Sequence, residues 1–254
     1  MTPPLQPRPE DRNDNDNGGA PVHVLAGKAT VWTRPFLTYA VSPATAVTVD
    51  GNHVPLNAVR AVFRRAFARW AGVIPVRFVE ALRDDDTADI KIGFYLHTAD
   101  GECDACGCVC KGRGEEALAH AHPPQDGRIH LHAARKWAVN VAGGDAPPLT
   151  VDLESVAVHE IGHVLGLGHS SSESSVMYRH YRGKVSLTDD DVKDVQELYG
   201  AKPPRVGMTA DSKSKHVETI EEIEQHIQQK KETAKKKPFF WRLVRLPSMS
   251  CLCR

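Results

Sequence analysis

The chain has no apolar run approaching the roughly 18 residues that would cross a bilayer. Its opening residues, MTPPLQPRPEDRNDNDNGGAP, contain no hydrophobic core of the kind that directs export. As written, it carries neither a spanning segment nor an export signal. It also lacks net charge: 32 Lys plus Arg balance 32 Asp plus Glu. Nothing global therefore points to nucleic acid as a partner. Cysteines are few and unevenly placed. Four of the six, Cys103, Cys106, Cys108 and Cys110, crowd into CDACGCVC, and the other two, Cys251 and Cys253, lie in the closing CLCR. That is no dispersed disulfide framework, so the redox compartment cannot be read from it. No internal repeat is visible.

What is present suffices for one sizeable domain, since 254 residues with 41% hydrophobic content are ordinary for a globular protein. Residues 1–30, rich in Pro, Asn, Asp and Gly, read as a disordered N-terminal segment. FLTYAVS, PVRFVEA and DIKIGFYL read as strands, and ALAHAH and GRIHLHAA as short ones. LNAVRAVFRRAFARWAGV has apolar residues at Val59, Val62, Phe63, Phe67 and Trp70, a helical rhythm opened by Pro55 and Asn57. A second helix is expected over VDLESVAVHEIGHVLG, with Asp152 and Glu154 in its first turn. A third is expected over SLTDDDVKDVQELYG, capped by Ser186 or Thr188, with Asp189 to Asp191 suiting its dipole and Gly200 ending it. The domain is thus expected to occupy residues 31–200. Residues 201–254 read as a linker, one short apolar helical stripe (Val217, Ile220, Ile223, Ile227), and a basic, aromatic tail. That tail composition fits contact with an anionic membrane surface or an end without fixed structure.

The chemistry concentrates in VAVHEIGHVLGLGHSSSESSVMY. On a helix, His159 and His163 are four residues apart and project from one face, within reach of one ion. Gly166 can adopt a left-handed conformation that ends the helix and turns the chain, so that His169 meets the same ion from another side. Three neutral nitrogens leave a fourth position for water, the mark of a catalytic rather than a structural zinc. Glu160, next to a ligand but not itself one, is the natural general base. The pattern continues to Met177, which completes the extended His-Glu-x-x-His signature with its Met-turn.

With LTYAV, AFARWAGVIPVRF, ADIKIGFY, LAHAH and GRIHLHAARKWAV on either side of that motif, the chain resembles the matrix metalloproteinase (matrixin) catalytic domain, in particular its plant-type members. The resemblance implies a metzincin-like α/β (α+β) fold: a twisted, mostly parallel five-stranded sheet with three helices, and a zinc cleft between the sheet edge and the Met-turn loop. It implies a zinc endopeptidase acting on protein or peptide substrates outside the cell or at its surface. It also implies a second, structural Zn2+, held by His120 and His130 with His97 and Asp100, although the spacing of the last two is off by one residue. The LAHA strand is expected to pair with the substrate backbone, and the loop around Tyr178 to Val185 to shape the side-chain pocket.

The departures from the family carry expectations of their own. CDACGCVCKGRG stands where a calcium-binding loop is usual, and His132, Arg135 and Lys136 stand where acidic residues are usual. Calcium requires a shell of oxygens, so a Ca2+ site is expected to be lost or rebuilt. The four loop cysteines read either as a soft-metal site of their own or as an unstructured divergence. The resemblance implies latency through a propeptide cysteine, yet no cysteine precedes Cys103 in the sequence as given. With the absent export signal, this suggests an incomplete N-terminus or a different regulation. The rival to a protease is a catalytically impaired zinc-binding interaction module derived from a matrixin.

Overall fold

The computed structural model describes residues 30–42, 54–81, 87–96, 103, 118–139, 150–183 and 185–204, with residues 225, 228–229, 232 and 252–253 of the tail. The N-terminal segment, His97, Asp100, the other loop cysteines and most of the tail lie outside the described residues.

Five strands form the sheet of the domain: β1 (Phe36–Val41), β2 (Arg77–Glu80), β3 (Ile90–Tyr95), β4 (Ala119–Ala121) and β5 (Arg128–His132). They lie in the order β2-β1-β3-β5-β4. All neighbours run parallel except β4, which is antiparallel to β5. This is the expected sheet. Every residue of β1 is buried, as befits an apolar strand flanked on both sides in a largely parallel sheet. A buried carboxylate joins its start to β3: Asp89 accepts from the Thr38 amide and hydroxyl, both at 2.9 Å, and pairs with Arg34.

Helix α1 (Leu56–Ala71) turns Val59, Val62, Phe63, Ala66, Phe67 and Trp70 inward. Their three- and four-residue spacing makes one apolar stripe, and burying each large side chain contributes on the order of 1.5–3 kcal/mol. Phe67 stacks on Tyr39 of β1 at 4.3 Å and meets Phe78 of β2 at 4.7 Å between ring centroids. The same stripe of α1, with the arginines beside it, also meets helix α2 (Leu153–Val164). There the Trp70 indole N–H donates to the Val158 carbonyl at 3.0 Å, and Arg65 and Arg69 pair with Glu154, each at 2.7 Å.

Helix α2 is buried at every residue except Glu154. The expected start shifts by two residues. Val151–Asp152 is strand β7, paired in parallel with β6 (Trp137–Ala138), and Asp152 is the N-cap, accepting from the Ser155 amide at 2.9 Å. A side chain that short binds the unpaired amides of the first turn from just outside the helix. Burial holds its carboxyl above the usual range despite those donors. Helix α3 (Asp189–Tyr199) is capped by Thr188 in a capping box with Asp191, and Gly200 follows at φ 78°. Last, Leu252–Cys253 of the tail forms strand β8, which adds antiparallel to the outer edge of β4. Among the described residues no helix is long and apolar enough to cross a membrane.

Candidate metal centre

The histidine geometry starts from how α2 ends. Gly166 has φ +99°; its amide donates to the His163 carbonyl at 2.9 Å, and the Leu167 amide reaches back to the Gly162 carbonyl at 3.0 Å. This pair of bonds is the Schellman termination, which needs a left-handed residue at that position. The carbonyls left over at the helix end also find donors: the Trp32 indole bonds Val164 O and the Tyr199 hydroxyl bonds Leu165 O, each at 2.8 Å. Burial pushes the Tyr199 hydroxyl pKa to about 12, so it stays a donor. A Cβ on Gly166 would lie 3.0 Å from the Thr30 carbonyl. Gly166→Ala is therefore expected to cost about 1–3 kcal/mol of stability and to weaken metal binding, measurable by urea denaturation and chelator competition. Unchanged metal affinity would separate the turn from the site.

The turn also orients a ligand. His163 donates from Nδ1 to the Leu167 carbonyl at 2.8 Å, and His159 donates from Nδ1 to the Val176 carbonyl at 2.7 Å. A carbonyl oxygen only accepts, so both rings carry a proton on Nδ1 and turn Nε2, the nitrogen available to a metal, toward each other. Those two Nε2 atoms lie 3.0 Å apart. His169 joins them, and the ligand atoms of His159, His163 and His169 all lie within 4.8 Å of one another. Two nitrogens bound to one tetrahedral zinc are separated by about 3.3 Å, so the donor set fits a zinc ion. His159 and His163 are fully buried, as is Glu160 beside them in sequence.

The floor is built by the chain after His169. Ser170 bridges Tyr178, its amide donating to the Met177 carbonyl at 2.8 Å. Met177 is buried against the helix at Gly162, where a Cβ would meet its Sδ at 2.3 Å. The absence of a side chain between the two helical histidines is what admits the methionine. Asp191 of α3, 2% exposed, accepts from the Ser175 hydroxyl and from the Val176 amide at 3.1 Å, while the Ser175 hydroxyl also accepts from the Met177 amide at 2.8 Å. The sequence reading missed Gly162 and gave Asp191 only a role toward the helix dipole.

A second cluster lies on the sheet. His120 of β4 and His130 of β5 are directly opposite in register, and both are buried. They were expected to share a metal, and their rings are 5.0 Å apart between centroids. The companion in the structure is Cys103, which the sequence reading grouped only with its neighbouring cysteines. Cys103, His120 and His130 have ligand atoms within 4.8 Å of one another. His122, also buried, lies alongside; its Nδ1 faces Asp126 at 3.7 Å. Burial would raise the Asp126 carboxyl, but hydrogen bonds from Arg128, helped by His122, hold it below the usual range.

The mostly parallel sheet, the three helices and the histidine cluster above a methionine turn define a metzincin-like α/β domain. Residues 31–200 match the family model described as Matrixin, and the chain belongs to that family. Metalloendoproteinase 1-MMP of Arabidopsis thaliana is 47% identical over 175 residues, covering 68% of this chain and 45% of that protein. Metalloendoproteinase 4-MMP of the same plant is 43% identical over 221 residues, covering 78% and 58%. Matrix metalloproteinase-19 of Homo sapiens is 33% identical over 187 residues, covering 72% and 32%. The greater identity to the plant proteins marks the domain as plant-type. The chain spans between 32% and 58% of the length of these three relatives.

Proposed function

We propose that this protein is a zinc-dependent endopeptidase that hydrolyses peptide bonds of protein substrates, matrix or cell-wall-associated, at or outside the cell surface. The observation that carries this reading is the pair of imidazoles, each fixed through Nδ1 by a carbonyl and facing the other through Nε2 at 3.0 Å, with a buried carboxylate next in sequence. His159, His163 and His169 would hold the ion. A zinc bound there supplies Lewis-acid polarisation of the scissile carbonyl, stabilises its developing charge and makes water nucleophilic near neutral pH. Glu160 takes the proton of the attacking water and passes it to the leaving amine. Met177 supports the ligands from below, and the loop that follows it forms the pocket for a substrate side chain. That loop is tied to the motif helix by the Asp152 amide, which donates to the Tyr181 hydroxyl at 2.8 Å.

A second zinc is assigned to His120 and His130, with His97 and Asp100 added by the resemblance. Calcium is not assigned: the His132 side chain carries no oxygen for such a shell, and its Nδ1 accepts from the Ala134 amide at 3.1 Å.

Substrate backbone would add to the outer edge of β4, as a strand joins a sheet. Support comes from β8, an extended segment of this same chain lying antiparallel on that edge with Ala121 opposite Leu252. The tail and a substrate would then compete. Deleting residues 251–254 is expected to lower KM for a peptide substrate severalfold with kcat unchanged; an unaltered KM in steady-state assays would remove the competition. The function itself is tested by incubating the purified full chain with a peptide library, with zinc and with a chelator. Cleavage that the chelator stops, and zinc restores, is expected. A folded, zinc-loaded chain that cuts nothing would overturn the reading in favour of an interaction module.

A further inference from the structure

We infer that the second metal centre is a thiolate site: Cys103 is a ligand together with His120 and His130, taking one of the two remaining positions of a four-coordinate ion that the resemblance gives to His97 and Asp100. This deepens the assignment of His120 and His130 as metal donors and is independent of catalysis. The three residues come from different parts of the chain, Cys103 from the connection between β3 and β4 and the histidines from opposite positions of the antiparallel pair. All three are buried: Cys103 and His120 are 0% exposed and His130 is 3% exposed. The Cys103 Sγ lies 3.3 Å from His130 Nδ1.

A thiol-imidazole hydrogen bond accounts for that distance taken alone. It does not account for His120, whose ligand atom belongs to the same group within 4.8 Å. Sulfur and nitrogen bound to one tetrahedral zinc, at about 2.3 Å and 2.0–2.1 Å, are separated by about 3.5 Å. The observed spacing is close to that. A divalent cation repays the cost of gathering three polar side chains away from water, and a thiolate with two imidazoles selects zinc over the hard oxygen-seeking ions. Binding would release the thiol proton to solvent. It would also tie the cysteine-bearing connection to the two strands at the edge where substrate backbone is proposed to add.

The test is cobalt substitution of the full chain, with metal content and the near-ultraviolet spectrum read together. Two cobalt ions per chain and a thiolate-to-cobalt charge-transfer band are expected. The band should vanish in Cys103→Ser and in His120→Ala, and persist in His159→Ala and in a variant with Cys106, Cys108 and Cys110 all changed to Ser. A second readout needs no variant: in the native protein, alkylation of Cys103, mapped by mass spectrometry, should rise at least tenfold when chelator is added. Two ions with no thiolate band would overturn the role of Cys103 while leaving the two histidines as ligands. One ion and no band would overturn the second centre altogether. A band that survives Cys103→Ser but not loss of the other three cysteines would place the thiolate elsewhere. Peptide cleavage by the native chain, scored separately, reports on the catalytic reading and not on this one.

Discussion

Glu160→Gln is expected to lower kcat for peptide hydrolysis by about 10²–10⁴-fold while leaving the zinc content of the protein unchanged. Glutamine keeps the length and volume of the side chain in a fully buried position, so packing gives no reason for the fold to suffer. What it removes is the capacity to take a proton from water. The three imidazoles are untouched: two are held by backbone carbonyls at 2.7 and 2.8 Å, not by Glu160. Kinetics and metal analysis on the same preparation check the two halves separately. Equal rates would reject Glu160 as the base. Loss of zinc along with activity would make it a structural part of the centre instead.

The motif was legible in the sequence because its residues act through local spacing. His159 and His163 share a helix face by their four-residue separation, and Gly166 at φ +99° is the left-handed turn the pattern demanded. The strands were legible as short apolar or alternating runs, while the mostly parallel five-stranded sheet was implied by the resemblance to the family. Less legible were contacts set by tertiary placement. Nothing local to Cys103 distinguishes it from Cys106, Cys108 or Cys110; only the register that puts His120 opposite His130 creates a place for it. Gly162 reads as an interruption of the helix until Met177, fifteen residues on, is seen packed against it. Asp152 looked like a first-turn acid, yet pairing of Val151 and Asp152 with β6 moves the helix start past it. A signal for Asp191 did exist: Thr188 three residues before an acidic residue is capping-box spacing. Three consecutive aspartates hid which of them mattered.

Asp191→Ala is expected to be the most damaging substitution outside the histidine cluster, costing about 3 kcal/mol or more. One buried carboxylate there accepts from the Ser175 hydroxyl, the Val176 amide at 3.1 Å, and the Thr188 amide and hydroxyl at 2.8 and 2.7 Å. Removing it strands two buried donors on the methionine turn and two half-buried ones at the start of α3, and each buried group left without a partner costs about 1–3 kcal/mol. The damage reaches the metal by a short path. Val176 is held through its amide by Asp191, and through its carbonyl it receives the Nδ1 proton of His159. Loss of an outer-shell partner of this kind typically lowers metal affinity by about 10–100-fold. Denaturant unfolding and a competitive zinc titration would measure the two effects. Asp189→Ala and Asp190→Ala supply the comparison, because both side chains are exposed in the same turn and share whatever the helix dipole contributes. Each should change stability by no more than about 0.5 kcal/mol and leave zinc affinity alone. If all three variants behaved alike, the dipole would account for Asp191, and the proposed link from α3 through the methionine turn to His159 would fail.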